Sequence, residues 1–197
     1  MRFSNNFALD RLLGWKGIMV EASPASYGQL VHNRPGQVHI NAAVCAESHI
    51  VHFLEHPNNC CRGIAEFMDA RYRDQWYPGL SKKENGWTFT DPKKSVPIRP
   101  ITCVPLKQLL AEAAEKFSQG VRHIDFFSLD VEGAELDVLR SIDFSDVRFD
   151  VIVVEDLNGN VNGIEDLLQS NGYAYHGRVE WNKWFVRHGF NPTKMLP

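Results

Sequence analysis

Residues 124–139 read IDFFSLDVEGAELDVL, and the fold turns on how this stretch divides. Ile124 to Val131 is rich in apolar and aromatic residues, as a strand buried on both faces should be. Gly133 breaks the run, and Leu136, Leu139 and Ile142 then recur at helical spacing. The strand therefore delivers Asp130 to its carboxyl end, Gly133 permits a tight turn or a close approach, and Glu132 and Glu135 open a short helix over Gly133 to Ile142.

The same beat extends in both directions. Upstream, Ser4 caps a helix through Phe7, Leu9, Leu12 and Leu13 that closes at Gly14, and Gly17 to Glu21 reads as a short buried strand. A helix follows Pro24, from Ala25 to Asn33, then a strand from Val38 to Val44 and an extended piece from His49 to Leu54. Pro105 starts a helix with Leu106, Leu109, Leu110, Ala113 and Phe117 on one face, ended by Gly120. Downstream, Val151 to Val154 is a buried strand and Asn162 to Ser170 a helix. Tyr173 to Tyr175 and Trp184 to Val186 form a closing antiparallel pair turned at Gly177. Strands alternating with helices predict an α/β fold, its sheet mostly parallel and covered on both faces.

A chain of 197 residues with 44% hydrophobic content supports one domain over 1–197, interrupted by an irregular insertion at about 57–100. The net charge of −3 excludes a nucleic-acid binder driven by overall charge. Locally the picture differs: from Arg71 to Pro100 seven Lys/Arg against three acids leave +4, and the rest of the chain −7. That stretch reads as a lid or binding insertion. Its aromatics, Tyr72, Trp76, Tyr77 and Trp87, close over a core in the simpler reading and stack nucleic-acid bases in the alternative. Cys45, Cys60, Cys61 and Cys103 show no scaffold or zinc-knuckle spacing, so reduced thiols in a cytosol-like compartment are expected. No signal-type or membrane-spanning apolar run is present, which predicts a soluble, cytoplasmic chain unless a segment ahead of Met1 redirects it.

In an open parallel sheet, ligands bind beyond the carboxyl ends of the strands, where helix N-termini and loop amides converge. Here those ends carry Glu21, Asn41 to Val44, Asp130 to Gly133, and Glu155-Asp156. Acids at these positions can also simply cap helices.

The stretch DVEGAELDVL, preceded by a strand and followed by VIVVED (151–156), closely resembles the signature of the FkbM-type methyltransferase family. GWKGIMVEASPASYGQL (14–30) resembles that family's second strand and following helix, NAAV (41–44) its third strand end, and GIAEFM (63–68) the segment before a variable insertion. The resemblance implies a Rossmann-like class I sheet and S-adenosylmethionine as cofactor. It implies that Glu21, with Ala22 beside it, holds the cofactor ribose and that Asn41 and Ala42 lie beside the adenine. Asp130 and Glu132 would face the methionine half and the transferred methyl, either one serving as base or acceptor-positioning group. The implied reaction is O-methylation of a hydroxyl on a sugar, polyketide or similar small metabolite, with residues 57–100 choosing the acceptor.

The front of the chain departs from that pattern, since no strand and glycine-rich turn precede SNNFALDRLLGW (4–15). The first, central strand of the sheet is the missing one, expected between the strands at 17–21 and 124–130. A start short of an active enzyme's true beginning, a cofactor-free interaction module, and substitution by another segment all remain open. Asp130, Glu155 and Asp156 offer the hard oxygen ligands that magnesium prefers, although the resemblance implies no metal. His52, His56, Cys60 and Cys61 are poorly arranged for zinc, because adjacent cysteines seldom reach one tetrahedral centre.

Overall fold

The computed structural model describes residues 5–58, 61–117, 121–156 and 163–191. Expectations at Ser4, Cys60, Gly120 and Asn162 lie outside these ranges. In chain order the elements begin with α1 (Phe7–Leu13), β1 (Ile18–Val20), α2 (Pro24–Asn33), β2 (Val38–Ile40), β3 (Ala43–Val44) and β4 (His49–Leu54). Next come β5 (Gly63–Ile64), α3 (Ala70–Trp76), β6 (Leu80–Lys83), β7 (Gly86–Phe89), β8 (Ile98–Val104) and α4 (Leu106–Ala114). The last are β9 (His123–Leu129), α5 (Glu135–Arg140), β10 (Arg148–Glu155), α6 (Ile164–Ser170), β11 (Tyr173–Val179) and β12 (Asn182–Arg187). They form two compact units, one of Met1–Gly17, Leu106–Asp130 and Glu135–Pro197, the other of Ile18–Pro105 and Val131–Ala134.

The first unit is built on a four-stranded sheet in the order β11-β12-β10-β9. β10 and β9 run parallel, pairing Val151 with Phe126 and Val154 with Leu129, whereas β12 runs antiparallel to both β10 and β11. Central β10 is buried from Phe149 through Val154; the apolar run Val151–Val154 predicts this for its second half, while Asp150 is buried with His123 and Arg187 as partners. β9 is as apolar, yet it ends the sheet: Ile124, Phe126 and Phe127 are half-buried, and among the described residues no strand pairs with its second edge. Val138 and Leu139 from α5, Ile164 and Leu168 from α6, and Phe185 from β12 complete a buried core. The turn expected at Gly177 falls instead at Glu180-Trp181, and Gly177 marks a register shift within β11.

The second unit holds a two-stranded parallel sheet, β1-β2, a four-stranded sheet in the order β3-β8-β4-β5, and the separate hairpin β6-β7. Two expectations are corrected here. The single strand read over Val38 to Val44 divides into β2 and β3, which join different sheets, because Asn41 turns its side-chain amide back onto the carbonyls of Glu21 and Ala22. The insertion is not irregular either. The strands that lie wholly within it, β5 to β7, are two to four residues long, too short to show a period, yet Leu80, Trp87, Phe89 and Ile98 pack on buried Leu54, Ala65, Met68 and Tyr77.

A mostly parallel sheet also gives way: three strand pairings are parallel and five antiparallel among the described residues. The antiparallel excess comes largely from this insertion. The expectation of reduced thiols throughout is corrected by a disulfide between Cys45 and Cys103. Parallel β3 and β8 bring their Cα atoms to 5.9 Å although 58 residues separate them, so no local spacing reveals the pair. No helix among the described residues is long and apolar enough to cross a membrane.

Candidate active site

β1 and β2 run parallel in the register Ile18 to Val38 and Val20 to Ile40, so both carboxyl ends open on the same side. Glu21 follows β1 and Asn41 follows β2. The Glu21 backbone N–H donates to the Ile40 carbonyl at 3.1 Å, extending the ladder by one step. The Asn41 amide donates to the Glu21 carbonyl at 2.7 Å and reaches the Ala22 carbonyl at 3.4 Å. Sequence reasoning placed Glu21 with Ala22 and Asn41 with Ala42 at separate strand ends, and the structure brings Glu21, Ala22 and Asn41 together. Ala22 packs on the cluster containing Ala43, Val51, Phe53 and Cys103, and neighbouring Ala42 is half-buried.

Glu21 has a capping role as well. Its Oε1 accepts the Ser23 backbone N–H at 2.8 Å, and the Ser23 hydroxyl accepts the N–H of Ser26 at 3.3 Å in the first turn of α2. The carboxylate is thereby held in place at the strand end. A carboxylate and a carboxamide at adjacent parallel strand ends are a donor set that fits a ribose diol and the polar edge of a purine.

The turn of the signature, Val131–Ala134, belongs to this same unit. Glu132 has a φ of 54° and Gly133 a φ of 107°, both in the left-handed region. For a glutamate that conformation costs about 1–2 kcal/mol, and such strain collects at functional sites. Gly133 cannot be replaced in place, because a Cβ there would lie 2.4 Å from the Phe67 carbonyl oxygen. Glu132 passes close to Gly63, where a Cβ would stand 3.4 Å from the Glu132 Cβ. Close by, burial in the first place, then the charges of Cys61 and Glu132, push the Tyr77 phenol well above the ordinary tyrosine range, and its hydroxyl donates to the Cys61 carbonyl.

Asp130 belongs to the first unit, at the end of β9 beside Glu155 at the end of β10. Its residue surface is exposed, yet protein crowding around the carboxyl group desolvates it and raises its pKa, an effect only partly offset by a hydrogen bond with Glu155. A desolvated carboxyl beside a second one suits either proton transfer or a hard cation. Asp156, the third acid considered for magnesium, is committed elsewhere: it is buried and its Oδ2 lies 3.0 Å from the Lys183 ammonium, which also reaches Glu165 at 2.9 Å.

Other polar clusters escaped sequence reasoning because their members lie far apart in the chain. His123, Asp125 and Asp150 bring ligand atoms within 4.8 Å of one another. Buried Asp150, however, already faces His123 Nε2 at 2.8 Å and the Arg187 guanidinium at 3.0 Å, which makes this an ion-pair network. His52, weighed for zinc, instead places Nδ1 2.7 Å from Glu66.

Comparison with known proteins adds one match. A family model described as the methyltransferase FkbM domain aligns with residues 2–175. No curated protein and no solved structure matches the chain.

Proposed function

The chain belongs to the FkbM methyltransferase family, and we propose that it transfers a methyl group from S-adenosylmethionine to a hydroxyl of a small metabolite such as a sugar or polyketide. The cofactor supplies an electrophilic methyl on a sulfonium. In this reading the strands form the rim of a Rossmann-like methyltransferase fold. Glu21 and Ala22 receive the ribose, Asn41 and Ala42 border the adenine, and Asp130 and Glu132 serve the methionine half and the acceptor. An alcohol oxygen attacks well only as its proton leaves, and a carboxyl whose pKa is raised is a better base than an ordinary one. Asp130, raised by desolvation and linked to Glu155, fits that task.

The observation that carries the reading is the bond between Asn41 and Glu21 at 2.7 Å, which fixes the two polar strand ends side by side. Calorimetry with S-adenosylmethionine tests it. Wild-type chain is expected to bind in the micromolar range, and Glu21→Ala to bind at least tenfold more weakly while retaining the wild-type circular dichroism spectrum. Failure of the wild-type chain to bind overturns the reading. The second reading, a cofactor-free interaction module, is favoured by one feature, the edge of β9 with which no strand pairs among the described residues, and would then take its place.

A further inference from the structure

The hairpin β6-β7 stands as its own two-stranded sheet, pairing Leu80 with Phe89 and Lys82 with Trp87. A two-stranded hairpin is marginal in water by itself, so its order must come from what holds it down. Leu80, Trp87 and Phe89 supply apolar contact with the Leu54 and Tyr77 cluster. One polar anchor supplies direction: the Trp87 indole N–H donates to Glu66 Oε1 at 2.9 Å. The same carboxylate faces His52 Nδ1 at 2.7 Å through Oε1 and accepts the His52 backbone N–H at 2.9 Å through Oε2. The Arg73 guanidinium covers the Trp87 ring at 5.2 Å and donates to the Met68 carbonyl at 2.8 Å.

Glu66 is therefore the meeting point of β4 and β7. Burial would raise its pKa, but the donors from His52 and Trp87 outweigh that and lower it, so the group is an anion at neutral pH. An ionised acceptor fixes the His52 proton on Nδ1. That leaves Nε2 turned toward Gly86, where a Cβ would approach it to 3.2 Å.

We propose that Glu66 is a positioning residue that seats the Leu80–Phe89 hairpin as a flap beside His52, with Gly86 next to the ring nitrogen that Glu66 does not engage. Oε1 takes the donors of both Trp87 and His52 Nδ1 while Oε2 takes the His52 backbone N–H, so a carboxamide cannot satisfy all three. Either orientation of a glutamine turns an NH2 group toward Trp87 Nε1–H or toward the His52 N–H. Seating depends on the charge and both oxygens, and not on side-chain size.

Hydrogen exchange resolved by mass spectrometry on the full chain tests this. Glu66→Gln and Trp87→Phe, the latter keeping the ring but losing the donor, are each expected to speed exchange over residues 80–90 at least tenfold while leaving β10 unchanged. The double variant should exchange no faster than the faster single one. Carbethoxylation of His52 by diethyl pyrocarbonate should rise severalfold in both single variants. Hairpin exchange within twofold of wild type in both, or equal acceleration of β10, overturns the proposal. These readouts do not involve S-adenosylmethionine, so their failure is distinct from failure of the methyltransferase reading.

Discussion

Replacing Gly133 by alanine asks what the glycine of the signature is for. With φ at 107°, the residue lies where an L side chain costs about 1–2 kcal/mol. The added methyl would stand 2.4 Å from the Phe67 carbonyl oxygen and 3.3 Å from its carbon, where ordinary contact begins at 3.4 Å. Main chain lies on both sides of that overlap, so no rotamer relieves it, and shifting packed backbone adds about 1–3 kcal/mol. The expected loss is about 2–5 kcal/mol, read as a lower urea midpoint at unchanged slope. Gly28→Ala is the matched control, because nothing lies within 4 Å of its Cβ position in α2. That change should stabilise the chain by up to about 1 kcal/mol. A Gly133→Ala variant within about 0.5 kcal/mol of wild type refutes the packing argument. If such a variant nonetheless loses S-adenosylmethionine, the glycine serves ligand approach instead.

Reduction of the Cys45–Cys103 bond frees a loop spanning 58 residues of sequence, which corresponds to about 4 kcal/mol of stability. Dithiothreitol should lower the wild-type urea midpoint accordingly and leave Cys45→Ala/Cys103→Ala unmoved. Asp130, whose pKa is raised above 3.8 in the folded chain, holds its proton there more tightly than in the unfolded chain, so it withdraws stability as pH climbs from that value through the folded one. Asp130→Asn should thus be more stable than wild type at neutral pH, the gain vanishing in acid, and inactive in methyl transfer. Lys183→Ala strands the Asp156 carboxylate, only 1% exposed, without its cation, at a cost of about 3–5 kcal/mol in chemical denaturation. Lys183→Met with Asp156→Leu should recover most of that loss.

What was legible in the sequence was legible for physical reasons. α1, α4, β9 and β10 carry apolar periods or runs long enough to stand out, Pro24 marks the start of α2, and Gly14 closes α1 at a φ of 67°, as a left-handed stop should. Strand ends bearing acids and amides could be recognised because residues next to an apolar run are adjacent to it in space as well. The insertion was not readable, since strands as short as Gly63–Ile64 have no period and take their conformation from the sheet partner Phe53–Leu54 and from the packing of Ile64 on Val51, Phe53 and Cys103. Pairings across long separations were equally hidden. Glu66 meets Trp87 across 21 residues, and Asp150 meets Arg187 across 37.

One consequence of β9 concerns the life of the chain in a crowded cell. Natural sheets defend their outermost strands with lysines, prolines, bulges or brevity. β9 is seven residues long, contains no lysine or proline, has exposed His123 and Asp125 only in its first half, and carries Phe126-Phe127 at its centre. Its apolar centre is that of a strand built to be flanked on both sides, and among the described residues no strand pairs with its second edge, the arrangement that templates intermolecular stacking. Chaperone retention, inclusion-body formation and concentration-dependent turbidity are therefore expected to track IDFFSL more closely than any other segment. A single Phe126→Lys change, placing a charge on that rim, should improve recovery of dispersed protein even while it weakens the sheet.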